Sequence, residues 1–522
     1  MGVAAYFRLA RAVWVLAREG AFSVLPTESL PPMATAAIGV ARLVERRSVR
    51  RTGRVDRLNA ALNKLGPTYV KFGQTLATRP DIVGPDAAAD LSGLQDRMPP
   101  FDPALVPSIL EEALGARAAD FVNLSPPVAA ASIAQVHKAH IASPAGGHVV
   151  AVKLLRPGVE QRFRADIEGF YAGARFAERF IRQARRLKPT EVVQTLDHSA
   201  RLELDLRLEA ASISEMSENI KGDTGFVIPT VSWDHTAQNV LTTSWMNGIP
   251  IRDHAALDAA GLDRRKLAAQ LLQAFLRHAI RDGFFHADMH PGNLFADPAT
   301  GNIIAVDFGI MGRINRYERR FLADILYGFI TRNYRLVAER HFDIGYVPKD
   351  QSVDDFTLAI RSIGEPLHGR TAADISMAKV LGQLFAITEL FSMQTRPELV
   401  LLQKSMVLVE GVARALDPNL DIWTVAEPVV GEWLRREQGP IGKLNDLADH
   451  LRAFGDAANR LPVLIAEAEL ALAEHRADRQ RPRPRQRDGL VRAALLGVLG
   501  LGGLVLLALL YVLLRYAMQP GF

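Results

Sequence analysis

The spacing of apolar residues divides this chain into helical and strand-rich regions. Apolar positions recur every three or four residues along most of the first 125 residues and again from about 251 to 475, which predicts helices. Between about 127 and 250 the segments "AHIASPAGGHVVAVKLL" and "VIPTVSWDHTAQNVLTTSWMNG" carry β-branched residues and turn signals, which predict strands interrupted by helices. A chain of 522 residues has room for two or more lobes. We therefore expect a small sheet-bearing lobe followed by a larger helical lobe.

Near the C-terminus an uncharged run of 22 residues, Ala493 to Leu514, predicts a transmembrane helix. As a helix it would extend roughly 33 Å, enough to cross a bilayer. After the run the sequence has one arginine, Arg515. Seven arginines lie in the segment just before the run: Arg476, Arg479, Arg481, Arg483, Arg485, Arg487 and Arg492. The positive-inside rule then places the body of the protein on the cytoplasmic face. A buried core helix is the alternative, but the run lacks a polar face.

The N-terminal segment "AAYFRLARAVWVLAREG" predicts an amphipathic helix. Its arginines Arg8, Arg11 and Arg18 lie on one side, with Phe7 and Trp14 elsewhere. The pattern fits a helix on a membrane surface and equally a helix packed on the body. A mitochondrial transit peptide is a weaker third interpretation.

Charge and cysteine content remove several classes of function. The 62 basic and 57 acidic side chains nearly balance, and much of the excess lies in the C-terminal arginine cluster, so no nucleic-acid partner is indicated. With no cysteine, the chain has no disulfides, no thiolate nucleophile and no cysteine-ligated zinc. The chemistry must come from Lys, Asp, Glu, Asn and His.

The stretch "FFHADMHPGNLF" resembles the catalytic loop of a phosphotransferase, because Asp288 and Asn293 stand five apart behind a histidine. A metalloprotease zinc motif is excluded, since Ala287 occupies the position that needs glutamate and Pro291 breaks the required helix. Fourteen residues past Asn293, "AVDFGIMG" places Asp307 at the end of an apolar run, where a carboxylate can bind a metal that bridges phosphates.

Upstream, "VVAVKLL" places Lys153 on a predicted strand, where a lysine would pair with phosphates and with a helix carboxylate. The carboxylate candidates lie in "RLELDLRLEAASISEM". A helix there puts Asp205 and Glu209 on one face, and Glu203 precedes them. Such a charged helix is by default a solvated surface, and the lysine changes that interpretation.

The glycine loop that normally covers the phosphates is replaced by alanines in this chain. At its position stands "PPVAAASIAQVHKA", with Ala129, Ala130, Ala131 and Ser132. Glycines let backbone amides approach phosphates because their φ can be positive, and an alanine methyl forbids much of that space. The nucleotide must therefore be held differently.

Together these features resemble the UbiB/ADCK family of atypical kinases, whose alanine-rich loop replaces the glycine loop. A second hallmark is "LGPTYVKFGQTLATRPD", in which Lys71, Gly73 and Gln74 fit the family's Lys-x-Gly-Gln motif. The resemblance covers roughly residues 60 to 440. It also rests on "GLQDRMPPFD", "AAASIAQVH", "ELDLRLEA", "HADMHPGN" and "LVLLQKSMVLVEGVARALDPNLD".

The resemblance implies an α+β, protein kinase-like two-lobe fold whose helical N-terminal extension crosses the site. Lys71, Gly73 and Gln74 would form a regulatory lid that meets Glu203 and Asp205, and Glu209 would pair with Lys153. Asp288 would be the catalytic base, and Asn293 and Asp307 would hold Mg²⁺. The expected nucleotide-binding residues are Ala130, Ala131, Ser132, Ile133, Ala134, Gln135, Val136, His137, Lys138, Lys153 and Glu209.

The expected domains follow the chain in order. They are N-terminal helices (1–60), the Lys-x-Gly-Gln extension (61–126), a kinase-like N-lobe (127–250), a kinase-like C-lobe (251–440), a helical segment with an arginine-rich linker (441–487) and a transmembrane anchor (488–516).

The resemblance also implies an ATPase that supports ubiquinone biosynthesis at membranes, with ATP and Mg²⁺ as cofactors. The implied partners are membrane lipid, polyprenyl quinone intermediates and other quinone-biosynthesis proteins, and the implied location is the cytoplasmic face of a bacterial inner membrane. Bacterial members often have two C-terminal membrane segments, whereas this chain offers one convincing span. Ser244 also departs from the family, which usually has glutamate there.

Three functions remain open from the sequence. The first is an ATP-hydrolysing accessory protein that acts on polyprenyl intermediates or their biosynthetic complex, and the second is an ordinary protein or small-molecule kinase. The third is a non-enzymatic nucleotide-binding scaffold. A lid that carries Lys71 across the site favours the first over the second, and the intact Asp288, Asn293 and Asp307 argue against the third.

Overall fold

The computed structural model describes most of the chain before residue 439. The described residues are 3–22, 39–46, 49, 53–77, 90–91, 98–142, 147–180, 188–367, 387, 390–391, 393 and 397–438. In these ranges the α-helices are α1 (Val3–Arg18), α2 (Arg54–Leu65), α3 (Pro67–Ala77), α4 (Val106–Leu114), α5 (Val159–Phe180), α6 (Pro189–Glu203), α7 (Leu206–Asn219), α8 (His254–Ala259), α9 (Arg264–Leu276), α10 (Arg316–Ile330), α11 (Tyr334–Asp343), α12 (Val353–Gly364), α13 (Pro397–Leu416) and α14 (Ile422–Gln438). The strands are β1 (Phe121–Val122), β2 (Pro127–Ala130), β3 (Ala134–Ile141), β4 (His148–Leu155), β5 (Phe226–Val227), β6 (Val240–Ser244), β7 (Ile249–Pro250), β8 (Phe284–His286), β9 (Leu294–Ala296), β10 (Ile303–Ala305) and β11 (Met311–Arg313).

The first lobe is built on a five-stranded sheet with the order β1-β3-β4-β6, to which β2 adds by pairing with β3. The long strands β3 and β4 are antiparallel, and Val136 lies opposite Lys153. Side chains alternate between the two faces of a strand, so one face of the sheet carries Val150, Val152 and Leu154, which pack against α4. Lys153 lies on the opposite face. The strand-rich region predicted from the sequence is confirmed, including the helices α5 to α7 that interrupt it.

The second lobe has a large apolar core to which α9, α13 and α14 contribute. Short strands lie within this lobe: β5-β10-β9-β7 form one small sheet, and β11-β8 form another. The apolar periodicity indicated mostly helix here, and it missed these strands because each is only two or three residues long. The second small sheet matters for the site, because β8 leads into the catalytic loop.

The N-terminal extension packs against the long helix α5. Phe72 of α3 stacks on Phe170 with ring centroids 4.8 Å apart, and the edge of Tyr69 contacts the same ring. Thr68 donates a hydrogen bond to Asp166 at 2.8 Å. These contacts hold α3 against the first lobe, as expected of an extension that folds back on the kinase-like body.

None of the helices within the described ranges is long and apolar enough to cross a bilayer. The predicted span from Ala493 to Leu514 lies outside those ranges, as do the arginine-rich segment and the rest of the chain after residue 438.

Candidate active site

The centre of the site is a lysine held by two carboxylates from distant parts of the chain. The Lys153 ammonium donates to both carboxylate oxygens of Glu209, each at 2.9 Å, and to Asp307 Oδ1 at 3.0 Å. Strand β4 carries the lysine, α7 carries the glutamate, and the turn after β10 carries the aspartate. The pairing of Lys153 with Glu209 that the resemblance implied is therefore present in the structure.

Burial and charge oppose one another in this group. Burial alone would favour the neutral amine, but the carboxylates of Asp307 and Glu209 outweigh it and raise the pKa of Lys153. Burial raises the pKa of Glu209 to about 7, although Lys153 opposes this. Partial desolvation by the surrounding protein also acts to raise the pKa of Asp307, although its side chain keeps solvent-accessible surface, but the Lys153 ammonium prevails and lowers the pKa to about 2. Asp307 is thus ionised at neutral pH, whereas the pKa of Glu209 lies close to neutral pH.

The segment of the carboxylate candidates forms two helices rather than the single helix predicted from the sequence. The first helix, α6, ends at Glu203. Asp205 is the N-cap of α7, and its carboxylate accepts a hydrogen bond from Arg207 N. The Asp205 carboxylate also pairs with the Arg207 guanidinium at 2.7 Å. Asp205 therefore does not share a helical face with Glu209, because a cap lies outside the regular helix.

Lys71 of the extension reaches this segment. Its ammonium lies 2.5 Å from Glu203 Oε2, and both side chains are largely buried. On the same helix, Gly73 is buried and Gln74 is half-buried. Of the two expected lid contacts, the one to Glu203 is present, and the Asp205 carboxylate is instead engaged by Arg207.

The catalytic loop is held by hydrogen bonds among its own residues. Asp288 N donates to His286 Nδ1 at 3.1 Å, and the Asn293 amide donates to the carbonyl oxygen of Asp288 at 3.1 Å. His286 is fully buried against Phe308, and burial lowers its pKa. The imidazole therefore stays neutral and can accept the hydrogen bond from Asp288 N. This bond fixes the backbone at Asp288.

Asp307 adopts a backbone conformation that few residues other than glycine adopt, with φ of 64°. Val306 N donates to Asn293 O at 2.9 Å, and Phe308 N donates to Glu209 Oε1 at 3.3 Å. These bonds on either side hold the strained residue in place. They also join the Asp307 turn to the catalytic loop and to α7.

Asn293 and Asp307 fit a magnesium site of the kind that shares its metal with a nucleotide. The Asp307 side chain is 47% exposed, so its carboxylate is open to a metal while Oδ1 accepts from Lys153. The Asn293 amide nitrogen is used within the loop, so the side-chain oxygen is the atom that would bind a metal. Among the described residues no three His, Asp or Glu side chains form a metal cage. Mg²⁺ needs none, because it keeps waters and phosphate oxygens as ligands.

The alanine loop, residues 129–133, is fixed by a side chain from outside it. The Arg156 guanidinium donates to the Ala131 carbonyl at 2.8 and 3.1 Å and to the Pro99 carbonyl at 2.8 Å. Ala131 N donates to Ala134 O at 2.8 Å, which closes the turn between β2 and β3. The loop is therefore tied both to the end of β4 and to the segment that precedes α4.

Two of the expected nucleotide-binding residues have side chains on the face of the sheet opposite Lys153. Gln135 Oε1 accepts from Phe101 N at 3.0 Å, and His137 Nδ1 lies 2.8 Å from the Ser125 carbonyl oxygen. Both contacts are on the face opposite Lys153, because residues 135 and 137 alternate with Val136. These two side chains contact Phe101 N and the Ser125 carbonyl, and the nucleotide-binding role expected of residues 135 and 137 stays a prediction.

Val136 and Lys138 lie on the same face as Lys153. The Lys138 ammonium lies 4.7 Å from the centre of the Trp245 ring, next to Ser244 at the end of β6. The Ser244 hydroxyl accepts from Thr230 N at 2.9 Å. The serine that replaces the family's glutamate therefore joins the end of β6 to the segment at residue 230, to which the Ser244 backbone N also donates.

Sequence reasoning assigned no role to Arg156 or Ser405. Ser405 is buried in α13, and its hydroxyl donates to the Ala287 carbonyl at 3.2 Å, directly before Asp288. A signal for Arg156 was its position just after the strand of Lys153. The signal for Ser405 was the segment "LVLLQKSMVLVEG", in which polar residues interrupt an apolar helix.

Comparisons with known proteins agree with this geometry. An ABC1 atypical kinase-like domain matches residues 93–341, and a UbiB helical domain matches residues 360–421. A probable protein kinase UbiB from Marinobacter nauticus is 40% identical over 472 residues, covering 89% of this chain and 85% of that protein. The chain belongs to the UbiB family of atypical kinases.

A second UbiB relative, a probable protein kinase from Azotobacter vinelandii, is 40% identical over 461 residues, covering 87% of this chain and 84% of that protein. Among solved structures, the complex of Rv3197 with erythromycin from Mycobacterium tuberculosis is 25% identical, with a TM-score of 0.49, and covers 72% of this chain and 95% of that one. The match to the ABC1 atypical kinase-like domain and the two UbiB relatives confirm the family resemblance found in the motifs, and with it a kinase-like α+β fold.

Proposed function

We propose that this protein is a membrane-associated, ATP-dependent enzyme that supports ubiquinone biosynthesis and acts on or near polyprenyl-phenol intermediates. The observation that carries the proposal is the junction of Lys153, Glu209 and Asp307 beside the loop of Asp288 and Asn293. The link to ubiquinone rests on membership of the UbiB family.

In the proposed reaction each residue has a role that its position supports. Lys153 binds phosphate oxygens, and Glu209 aligns it. Asn293 and Asp307 hold Mg²⁺, which neutralises charge on the phosphates. Asp288 accepts the proton of the attacking water or hydroxyl group as the new bond to phosphorus forms and the bond to the leaving ADP oxygen breaks.

The extension favours hydrolysis or a small acceptor over a protein substrate. Lys71 is locked to Glu203 by a short, largely buried ion pair, and α3 is held on α5 by aromatic contacts. We infer that an extension fixed in this way restricts the access of a polypeptide substrate to the site. Phosphorylation of a protein is the alternative outcome of the tests below.

Nucleotide titrations of two variants test the assignment. Asp307→Asn should abolish binding of Mg·ATP because it removes the carboxylate that faces the metal, whereas Asp288→Asn should bind nucleotide and lose turnover. Thermal shift gives the binding and phosphate release gives the turnover. The exposed Asp350, in the loop before α12, provides a matched control as Asp350→Asn. Equal loss of binding in both site variants would contradict the roles.

The biological role needs a cellular measurement. A strain lacking this gene should accumulate quinone intermediates, and a wild-type copy should remove them, whereas an Asp288→Asn copy should not. Full complementation by Asp288→Asn would favour a nucleotide-binding scaffold over an enzyme.

The surface of α1 supports association with an anionic membrane. The helix packs on the body through Ala12 and Ala17 and still exposes Phe7 and Trp14, with 72% and 51% of their surface accessible. Arg11 and Arg18 are also exposed, whereas Arg8 donates to Ala165 O of α5. Arginines and aromatic residues therefore share the outer face, which differs from the separation expected from the sequence.

The neighbouring segment, residues 39–46, also exposes an apolar side chain and keeps a carboxylate buried. Leu43 is 82% exposed, whereas Glu45 is paired with Arg57 at 3.1 Å and buried. Glu19 at the end of α1 is likewise buried and bound by Lys64. An outer face with exposed apolar and cationic groups, and with these two carboxylates turned inward, fits the interface of an anionic bilayer.

Fractionation tests the location. Removing residues 488–522 should release the folded body into the soluble fraction or leave it attached only at low salt. Trp14→Ser in that truncated chain should weaken the remaining attachment. Trp233→Ser is the control, because Trp233 is equally exposed, at 52%, on the first lobe. Salt-resistant retention of the truncated chain would count against a single C-terminal anchor.

A further inference from the structure

Helix α13 carries a lysine next to its contact with the catalytic loop. The Ser405 hydroxyl donates to the Ala287 carbonyl at 3.2 Å and to the Leu401 carbonyl at 2.8 Å, so α13 braces the loop one residue before Asp288. The adjacent residue, Lys404, retains solvent-accessible surface. Lys404 therefore lies on the helix that contacts the loop, and its side chain remains reachable from solvent.

Three lysines approach the site, and their partners differ. Lys153 is bound by two carboxylates, and Lys71 is bound by Glu203. Within the part of the chain that the structure describes, the Lys404 ammonium forms no ion pair or hydrogen bond. Its charge is thus the least compensated of the three.

Lys404 shares its surroundings with two other charged residues of the site. Desolvation by the surrounding protein lowers its pKa, the carboxylate of Asp288 opposes this, and the nearby ammonium of Lys71 adds to it. These neighbours agree with the contact between α13 and the loop, which puts Lys404 on the Asp288 side of the site. Asp288 balances the Lys404 charge only in part, because no ion pair joins the two side chains.

The catalytic loop itself supplies no cation. The segment "FFHADMHPGN" contains neither lysine nor arginine. Negative charge is spread over the oxygens of a phosphoryl group during transfer, and positioned cations stabilise it. The position beside Asp288 is where that group passes to its acceptor, so a cation is useful there.

We propose that Lys404 binds the terminal phosphate group of ATP beside Asp288, a role that rests on the proposed ATP-dependent function. Lys153 then serves the phosphates on the Asp307 side of the site, and Lys404 serves the outermost phosphate on the Asp288 side. ADP lacks that phosphate and should gain little from Lys404.

Calorimetric titration of the full chain with Mg·ATP and with Mg·ADP tests this division. Lys404→Gln should weaken ATP binding by about tenfold and ADP binding by less than about twofold, since a hydrogen bond to a charged group is lost only with ATP. Lys404→Arg keeps the charge and should retain ATP affinity within about threefold. Lys266→Gln, at an exposed lysine near the start of α9, is the control and should change neither affinity.

Each outcome separates this proposal from the proposed function. Equal weakening of ATP and ADP by Lys404→Gln would assign Lys404 a structural role and overturn the proposal, as would unchanged affinities. If the wild-type chain binds neither nucleotide, the proposed ATP-dependent function fails as well. Thermal unfolding without nucleotide checks that the variant is folded, and loss of ATP affinity in Lys404→Arg equal to that in Lys404→Gln would also contradict the charge-based account.

Discussion

The alanine loop and the catalytic side of the site are both backbone turns beside the proposed nucleotide site, yet they are held in different ways. We define the catalytic side as residues 286–293 and 306–309. Its bonds run mostly between nearby motif residues, such as Asn293 to Asp288 and Asp288 N to His286. The alanine loop depends on the Arg156 guanidinium, which also reaches Pro99. The candidate catalytic residues are thus held within short motifs, whereas the shape of the alanine loop depends on distant segments.

The largest effect is expected on the catalytic side, from Glu209→Gln. The variant removes the charge that aligns Lys153, and misplacement of this kind costs on the order of 100-fold in turnover. Phosphate release under saturating Mg·ATP measures it. Glu215→Gln, on the same helix but paired with Arg313 at the surface, is the control and should retain turnover.

The same variant has a pH signature in stability. The pKa of Glu209 is about 7 in the folded protein against 4.5 for the free side chain, so its contribution to stability is present below pH 4.5 and is lost as pH rises through 7. Asp307, with a pKa of about 2, has the opposite sign and contributes no slope in that range. Denaturant unfolding should show wild type losing stability from pH 5 to 8 relative to Glu209→Gln. Parallel pH profiles would contradict this prediction.

Arg156→Ala should produce the next largest effect, on the alanine loop. It removes the donor to the carbonyls of Ala131 and Pro99 and should lower the free energy of unfolding by about 2 kcal/mol, with weaker ATP binding. Denaturant unfolding and nucleotide titration measure the two effects. Arg164→Ala should cost at most about 0.5 kcal/mol, because Arg164 forms an exposed pair with Glu160. Equal costs for the two variants would mean that the guanidinium does not hold the loop.

Ser405→Ala should have a smaller effect, because hydrogen bonds among its own residues already hold most of the catalytic side in place. Loss of the hydrogen bond to Ala287 O should cost about 1 kcal/mol of stability and lower turnover more than nucleotide affinity. Ser362→Ala is the matched control, since the Ser362 hydroxyl donates to Ala359 O on an exposed helix. If turnover in Ser405→Ala is unchanged, α13 does not position the loop.

The smallest effect on stability is expected from Ala131→Gly, at most about 1 kcal/mol. Both backbone groups of Ala131 are already bonded, so glycine adds conformational freedom without removing a contact. We expect ATP affinity to rise relative to ADP and function in the quinone pathway to suffer. The alternative is that the methyl only packs beneath the extension. In that case calorimetry would show an unchanged ratio of ATP to ADP affinity.

The sequence by itself determined the chemistry and the order of the lobes. Asp288, Asn293 and Asp307 stand in short segments whose spacing constrains them to one site, and Lys153 lies on a strand that the β-branched pattern predicted. The sequence also predicts the transmembrane run, which no described residue tests. Local motifs are readable in this way because their hydrogen bonds close within a few residues, as Asp288 N closes on His286.

Only the tertiary structure decided which distant residues complete the site. Arg156 bonds to carbonyls 25 and 57 residues away, and Lys71 meets Glu203 across the fold. The sequence could not predict that the side chains of Gln135 and His137 lie on the face opposite Lys153, because the alternation of a strand shows that neighbours face opposite ways and not which face carries the site. Lys404 lies more than a hundred residues after Asp288 in the chain. No periodicity links two such positions, because the packing of α13 against the loop is what brings them together.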